Sequence, residues 1–236
     1  MTEIRRYADL DSLVEAAAEG VTTVIAQAQQ QGDGFARLVL TGGGAGIALL
    51  RSLAQRSDIN WQRVHVFFGD ERNVPLDDPE SNEGQAREAL LDSVPIPAEQ
   101  IHGMGLDGQI PLDQAAERYE EILRRYAPEG FDLHLLGMGG EGHINSLFPY
   151  SAATAERERL VVGVHDSPKP PAQRLTLTLP AVGKAQRVWL LVAGAAKAEA
   201  AAAVAEKKDA ALWPAAGAQG AAETVIFLDE EAARAL

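Results

Sequence analysis

Phe35-Ala36-Arg37-Leu38-Val39-Leu40 is a short, mostly apolar run that passes directly into Thr41-Gly42-Gly43-Gly44-Ala45-Gly46 and then into the apolar stretch Ile47 to Leu53. A run of this length suits a buried strand, and an apolar stretch after a glycine turn suits a helix packed against it. Two further strands end in unusual loops. Arg63 to Phe68 leads into Gly69-Asp70-Glu71-Arg72, and Asp132 to Leu136 leads into Gly137-Met138-Gly139-Gly140-Glu141-Gly142-His143. Strands that are apolar almost throughout, alternating with helices, imply a largely parallel sheet covered on both faces.

The flanking sequence extends this alternation. Leu13, Val14, Ala17, Val21, Val24 and Ile25 share one stripe with Leu10, predicting a helix within residues 9–30 that Gly32 and Gly34 end. A loop with Pro75 and Pro79 precedes a helix from about Asn82 to Leu91. Residues 113–126 read as a helix with Asp113 as its N-cap and Pro128-Glu129-Gly130 as its stop. Leu160–Val164 and Arg174–Leu179 read as strands around a Pro-rich loop. Arg187–Val192 follows as a buried strand, 195–206 as an Ala-rich helix, and Thr224–Leu228 as a last strand with a short helix behind it. No fixed-period repeat or linker divides the chain. Residues 1–236 are therefore expected to form a single α/β domain, Rossmann-like in layout, with its ligand beyond the carboxyl ends of the strands.

Composition narrows the chemistry. The absence of cysteine excludes a disulfide scaffold, thiolate-ligated metal and thiol catalysis. The N-terminal residues carry charge and lack an apolar region, and no stretch is long enough to span a bilayer, so a cytoplasmic protein without signal peptide or membrane partner is expected. The net charge of −13 disfavours nucleic acid as a partner. It would also repel a small anion unless a few cations converge in one cleft.

The three strand-end loops and two basic segments are the candidates for chemistry. Four glycines within residues 42–46 exceed what a tight turn needs, which favours backbone N–H groups cradling a phosphate at a helix N-terminus. The turn is neither a dinucleotide fingerprint nor a P-loop, because position 47 is Ile and no Gly-Lys-Ser/Thr follows. Arg72 could bind an oxyanion or polarise a carbonyl with its fork of donors. His143, flanked by glycines and near an acid, is the candidate general base. His65 and His134 lie within strands and are expected to be packed or satisfied, while His102 and His165 carry no supporting motif. Lys169-Pro170-Pro171-Ala172-Gln173-Arg174 and Gly194-Ala195-Ala196-Lys197 supply the cations that the net charge otherwise denies. No zinc-ligand spacing or Gly-x-Ser-x-Gly elbow is present, so water activated by a base is the economical reading, with no metal.

Taken in order, these segments resemble the 6-phosphogluconolactonase family. The resemblance rests on the glycine turn 41–46, Asp70-Glu71-Arg72 with Ser81-Asn82, Gly142-His143 running to Ser146-Leu147-Phe148-Pro149, and Pro170-Pro171 to Arg174 with Gly194 to Lys197. Three positions depart from the family pattern. Gly44 replaces a common serine, Glu141 stands where Asp is usual, and Ile144-Asn145 replaces Thr-Ala. The resemblance implies metal- and cofactor-independent hydrolysis of 6-phospho-D-glucono-1,5-lactone by a monomer or weak homo-oligomer. It implies His143 as base, Arg72 as charge stabiliser at the reacting end and Glu141 as the group that orients His143. Gly42, Gly43, Gly44, Asp70, Arg174 and Lys197 would form the substrate and phosphate site. The alternatives are a glucosamine-6-phosphate deaminase/isomerase and a non-catalytic sugar-phosphate-binding protein. Arg72 and the Ser146-to-Pro149 run argue against the first, and an intact His143–Arg72 pair against the second.

Overall fold

The computed structural model describes residues 2–236. Ten strands follow in chain order: β1 (Thr2–Tyr7), β2 (Ala36–Leu40), β3 (Val64–Phe68), β4 (Asp70–Arg72) and β5 (Ile101–His102). After these come β6 (Leu133–Gly137), β7 (Val161–Val164), β8 (Arg174–Leu177), β9 (Arg187–Val192) and β10 (Glu223–Asp229). The helices are α1 (Leu10–Ala28), α2 (Gly43–Ala54), α3 (Asn82–Ala86), α4 (Leu112–Tyr126), α5 (Ala152–Ala155), α6 (Leu179–Val182) and α7 (Ala198–Ala205). A wider turn continues α3 through Arg87–Leu91, so the helix expected from Asn82 to Leu91 is present in two windings.

Seven strands form one sheet in the order β1-β10-β9-β6-β2-β3-β5, every pair parallel. Consecutive residues Leu38, Val39 and Leu40 are buried, as are Val225 to Leu228. Neighbouring strand residues point to opposite faces, so burial of all of them means that both faces are covered. Each such Leu or Val side chain contributes roughly 1.5–3 kcal/mol by leaving water. Helix α1 presents the expected stripe to this core and is capped by Asp9, whose carboxylate accepts from Ser12 N at 2.8 Å. Leu10 alone is only half-buried, and it lines the cleft described below.

The chain lays β3 and β5 on one side of β2, then returns with β6 on its other side. The strand order therefore reverses between β2 and β6, where a crevice opens at the carboxyl ends of the strands. Thr41 Oγ1 accepts a hydrogen bond from Gly137 N at 2.9 Å across that crevice.

Four expectations need correction. Strands β7 and β8 exist, but they join β4 in a separate antiparallel sheet of order β4-β8-β7. Asp70 to Arg72 is thus a short strand, where the sequence suggested only a loop. Strand β1 has no apolar signature in the sequence, because an edge strand paired only with β10 can carry Glu3, Arg5 and Arg6. Asp113 is not the cap of α4; Pro111 occupies that position and Asp113 sits in the first turn. Residues 230–235 form turns rather than a helix, held by Asp229 Oδ1 accepting from Ala232 N at 2.8 Å.

Candidate active site

A cleft of about 370 Å³ lies at the strand ends. His143, Arg72, Asp70, Arg174, Lys197 and the glycines of the first turn all line it. Glu141 stands behind His143 rather than on the wall.

The first wall is the start of α2. Gly43 takes φ +75°, a left-handed backbone that glycine adopts without penalty and other residues resist. The helix has no side-chain cap, so its first N–H groups remain available to an anion. A Cβ on Gly44 would meet nothing within 4 Å, so this glycine answers no steric demand.

Strand β4 supplies the second wall, and its three residues divide the work. Glu71 is buried and accepts from Ser81 Oγ at 3.1 Å, Asn82 N at 2.7 Å and Glu83 N at 2.8 Å. Burial pushes its carboxyl above the ordinary value against those backbone donors. Glu71 therefore docks the start of α3 against β4. That leaves Arg72 facing the cleft, where Nη1 donates to Glu80 O at 3.0 Å and to Asn82 Oδ1. Arg72 Nε is buried and has no protein partner. Asp70 lies between segments: Oδ1 accepts from Asn82 Nδ2 at 3.0 Å and Oδ2 from Ser146 Oγ at 2.6 Å.

The third wall carries His143. The loop closes through Gly139 N donating to His143 O at 2.9 Å. It passes so near the functional side chains that a Cβ on Gly139 would overlap His143 Nδ1 and Glu141 Oε2. The His143 ring stacks on Phe148, with centroids 4.7 Å apart. Its Nδ1 lies 3.2 Å from Glu141 Oε1 and 3.3 Å from Lys169 Nζ, which leaves Nε2 for the cleft. Burial first, and then the Lys169 charge, hold the imidazole below the ordinary histidine value; Glu141 and Asp70 oppose them in part. Burial also raises the Glu141 carboxyl, but the hydrogen bond from Lys169, backbone hydrogen bonding and the His143 and Lys169 charges outweigh it and bring it down to about 2.

Two basic residues complete the cleft and differ from each other. Lys197 follows the turn at Gly194, whose N donates to both carboxylate oxygens of Asp229, at 3.0 and 2.9 Å. Burial and the charge of Lys169 lower its ammonium from the ordinary lysine value. Arg174 is more constrained. Its Nε donates to Pro171 O at 3.0 Å, and its Nη2 donates to Lys169 O at 2.9 Å and Pro170 O at 3.1 Å. Only Nη1, 4.0 Å from Asp70 Oδ2, remains uncommitted.

The residues singled out from sequence are thus brought together, while several partners escaped notice. Asp229 and the capping role of Glu71 carried no motif. Asn145 lines the cleft at φ 48°, with Nδ2 buried and unpartnered, and nothing in the structure explains its replacement of the usual Ala. Among the other histidines, His65 Nδ1 lies 2.9 Å from His102 Nε2, away from the cleft. His134 is fully buried and packs edge-on against Phe131, with Asn145 as the polar side chain beside its ring. Among the described residues no cluster of three or more His, Asp or Glu is placed to hold a metal ion. No helix there is long and apolar enough to cross a membrane.

Comparison with known proteins gives a consistent result. The 6-phosphogluconolactonase of Mycobacterium tuberculosis is 51% identical over 244 aligned residues, covering 100% of this chain and 98% of the relative. That of Streptomyces coelicolor is 44% identical over 243 residues, covering 98% and 93%. The crystal structure of the Thermotoga maritima 6-phosphogluconolactonase superposes with a TM-score of 0.87 at 30% identity, covering 98% of this chain and 100% of that one. The family profile described as glucosamine-6-phosphate isomerases/6-phosphogluconolactonase matches residues 8–227, a span that takes in every wall of the cleft. With that match and a relative half identical over its whole length, the chain belongs to the glucosamine-6-phosphate isomerase/6-phosphogluconolactonase family.

Proposed function

We propose that this protein hydrolyses 6-phospho-D-glucono-1,5-lactone to 6-phospho-D-gluconate, in the oxidative pentose phosphate pathway of the cytoplasm, through residues 1–236 working as one α/β domain. The observation that carries this reading is the His143 constellation: Nδ1 beside Glu141 Oε1 at 3.2 Å and Nε2 left for a cleft that also holds Arg72 and Lys197. An Nδ1–H donated to Glu141 fixes the tautomer in which Nε2 keeps its lone pair. The basic residues and the α2 N-terminus give a doubly charged phosphate its local attraction.

The steps follow from those roles. Water donates a proton to His143 Nε2 as its oxygen attacks the lactone carbonyl carbon. Negative charge then grows on the carbonyl oxygen, where the Arg72 guanidinium stabilises it. As the bond from that carbon to the ring oxygen breaks, His143 returns the proton to the ring oxygen, which becomes a hydroxyl. The new carboxylic acid then ionises into solvent. Gly42, Gly43 and Gly44, Lys197 and the one free nitrogen of Arg174 hold the phosphate, while Asp70 fixes the walls.

The deciding assay couples fresh 6-phosphogluconolactone to a downstream dehydrogenase, subtracts spontaneous hydrolysis, and is run with and without EDTA. Acceleration that EDTA leaves intact is the expected result. No acceleration, combined with tight binding of 6-phosphogluconate, would instead establish a sugar-phosphate-binding protein. Release of ammonia from glucosamine 6-phosphate would establish a deaminase.

A further inference from the structure

Lys169 is half-exposed, on a loop outside the cleft wall, and yet it touches both members of the catalytic pair proposed above. Its Nζ lies 2.7 Å from Glu141 Oε1 and 3.3 Å from His143 Nδ1, and 5.9 Å from the centre of the Phe148 ring on which His143 stacks. Lysine side chains of this exposure usually wander, but this one is placed by its backbone. Arg174 Nη2 donates to Lys169 O at 2.9 Å, and Ser167 Oγ donates to the same oxygen at 3.0 Å. A buried arginine in the cleft thus spends three of its hydrogen bonds on the loop that carries Lys169.

We infer that Lys169 is a positioning residue for the reaction: it pairs with Glu141 and stands against His143, so that the imidazole returns the proton it takes up. This rests on His143 acting as the base. The argument is one of competing charges. Glu141 alone beside His143 would favour the imidazolium, and a protonated histidine held in an ion pair neither accepts a proton from water nor releases one to the ring oxygen. The Lys169 ammonium shares the same Glu141 oxygen and repels a second positive charge a few ångströms away. Glu141 then still selects the tautomer without trapping the proton.

The other charges near the ring do not duplicate this role. Asp70, from β4, favours the imidazolium, as Glu141 does. Arg72, Arg174 and Lys197 line the cleft, but Lys169 is the cation at hydrogen-bond distance from Nδ1.

The test compares wild type, Lys169→Met and Lys169→Arg over pH, using lactone hydrolysis and the NMR titration of the His143 ring, assigned from a His143→Asn spectrum. In Lys169→Met the acid limb of kcat and the His143 midpoint should both move to higher pH. The ratio of kcat at about pH 6 to kcat at about pH 8 should fall severalfold, with about tenfold as the limit for the one-unit shift that one nearby charge produces. Lys169→Arg should restore most of it. An equal loss of kcat at every pH, with the His143 midpoint unmoved, would overturn the inference and make Lys169 merely structural. A wild-type protein inactive on the lactone would overturn the proposed reaction instead, and the NMR midpoint would still decide whether Lys169 controls the ring.

Discussion

The Ser146 hydroxyl donates to Asp70 Oδ2 at 2.6 Å, tying the loop that bears His143 to the strand that bears Arg72. Asp70 Oδ1 also accepts from Asn82 at 3.0 Å, so one carboxylate holds three segments of the cleft in register. Ser146→Ala removes the donor and leaves that oxygen short of a partner in a largely buried place. Stability should fall by about 1–2 kcal/mol. Small misplacements of reacting groups are costly, so kcat should fall by roughly three- to tenfold with a smaller change in KM. Urea unfolding and steady-state kinetics on the same preparation check both.

His143→Ala should lower kcat by about 10²–10⁴-fold, the usual contribution of a positioned base. Binding of 6-phosphogluconate should be nearly unchanged, because its phosphate is held by other groups. In wild type only the neutral imidazole is a base, so the rate falls as pH drops through the His143 pKa. Burial and Lys169 hold that pKa below the ordinary histidine value of about 6.5, which places the acid limb below about that pH. Calorimetric titration with product and a pH–rate profile are the measurements.

Arg174 and Lys197 should separate under mutation. Three of the hydrogen bonds of Arg174 support the 169–171 loop, so Arg174→Ala should lower kcat and thermal stability as well as raise KM. Lys197 makes no side-chain hydrogen bond to the described residues. Lys197→Ala should therefore raise KM for the phosphorylated lactone by roughly tenfold, the scale of a charge-assisted hydrogen bond, and leave melting unchanged. Kinetics with phosphorylated and plain gluconolactone, beside thermal melts, distinguish the two patterns.

What the sequence revealed of this site was confined to what lies contiguous in it. The run from Leu38 through the glycines to Leu53 announces strand, turn and helix because each signal is local. The glycines around His143 announce a bent loop for the same reason. The small antiparallel sheet was hidden because its third member is Asp70-Glu71-Arg72, polar residues that form a strand only when β8 pairs with them. Arg174 reads as a free cation in sequence, whereas its commitment to carbonyls three to five residues upstream depends on how that loop folds back. The contact between Lys169 and His143, 26 residues apart, arises only from packing and has no local signature.

Gly44→Ser should be tolerated and should strengthen phosphate binding. The position has ordinary φ, and an added Cβ meets nothing within 4 Å. A hydroxyl there sits in the first turn of α2, beside N–H groups already directed at an anion. One added hydrogen bond to phosphate is worth about 0.5–1.5 kcal/mol, so KM should fall by roughly two- to tenfold. Replacing a first-turn Gly also removes unfolded-chain freedom, so the melting temperature should hold or rise slightly. A higher KM would mean that the phosphate lies elsewhere in the cleft.

His134 should set part of the acid stability of the fold. It is fully buried in β6, and burial lowers its pKa from 6.5 to about 3 against the opposing influence of the neighbouring Asn145 amide. The folded protein therefore keeps this ring neutral at a pH where the unfolded chain has already bound a proton. A depressed folded value gives stability that is fully present above the unfolded pKa. That stability is lost as pH falls from about 6.5 towards about 3, at roughly 1.4 kcal/mol per pH unit. His102, lowered to about 4 mainly by its own burial, adds a second slope of the same sign. His134→Leu removes only the first slope and also a buried polar ring. The variant should match or exceed wild type in urea at about pH 7. At about pH 5 its advantage should grow by roughly 2 kcal/mol, since His102 titrates alike in both proteins and cancels from the difference. Parallel pH dependences in the two proteins would show that His134 is protonated or hydrated in the native state.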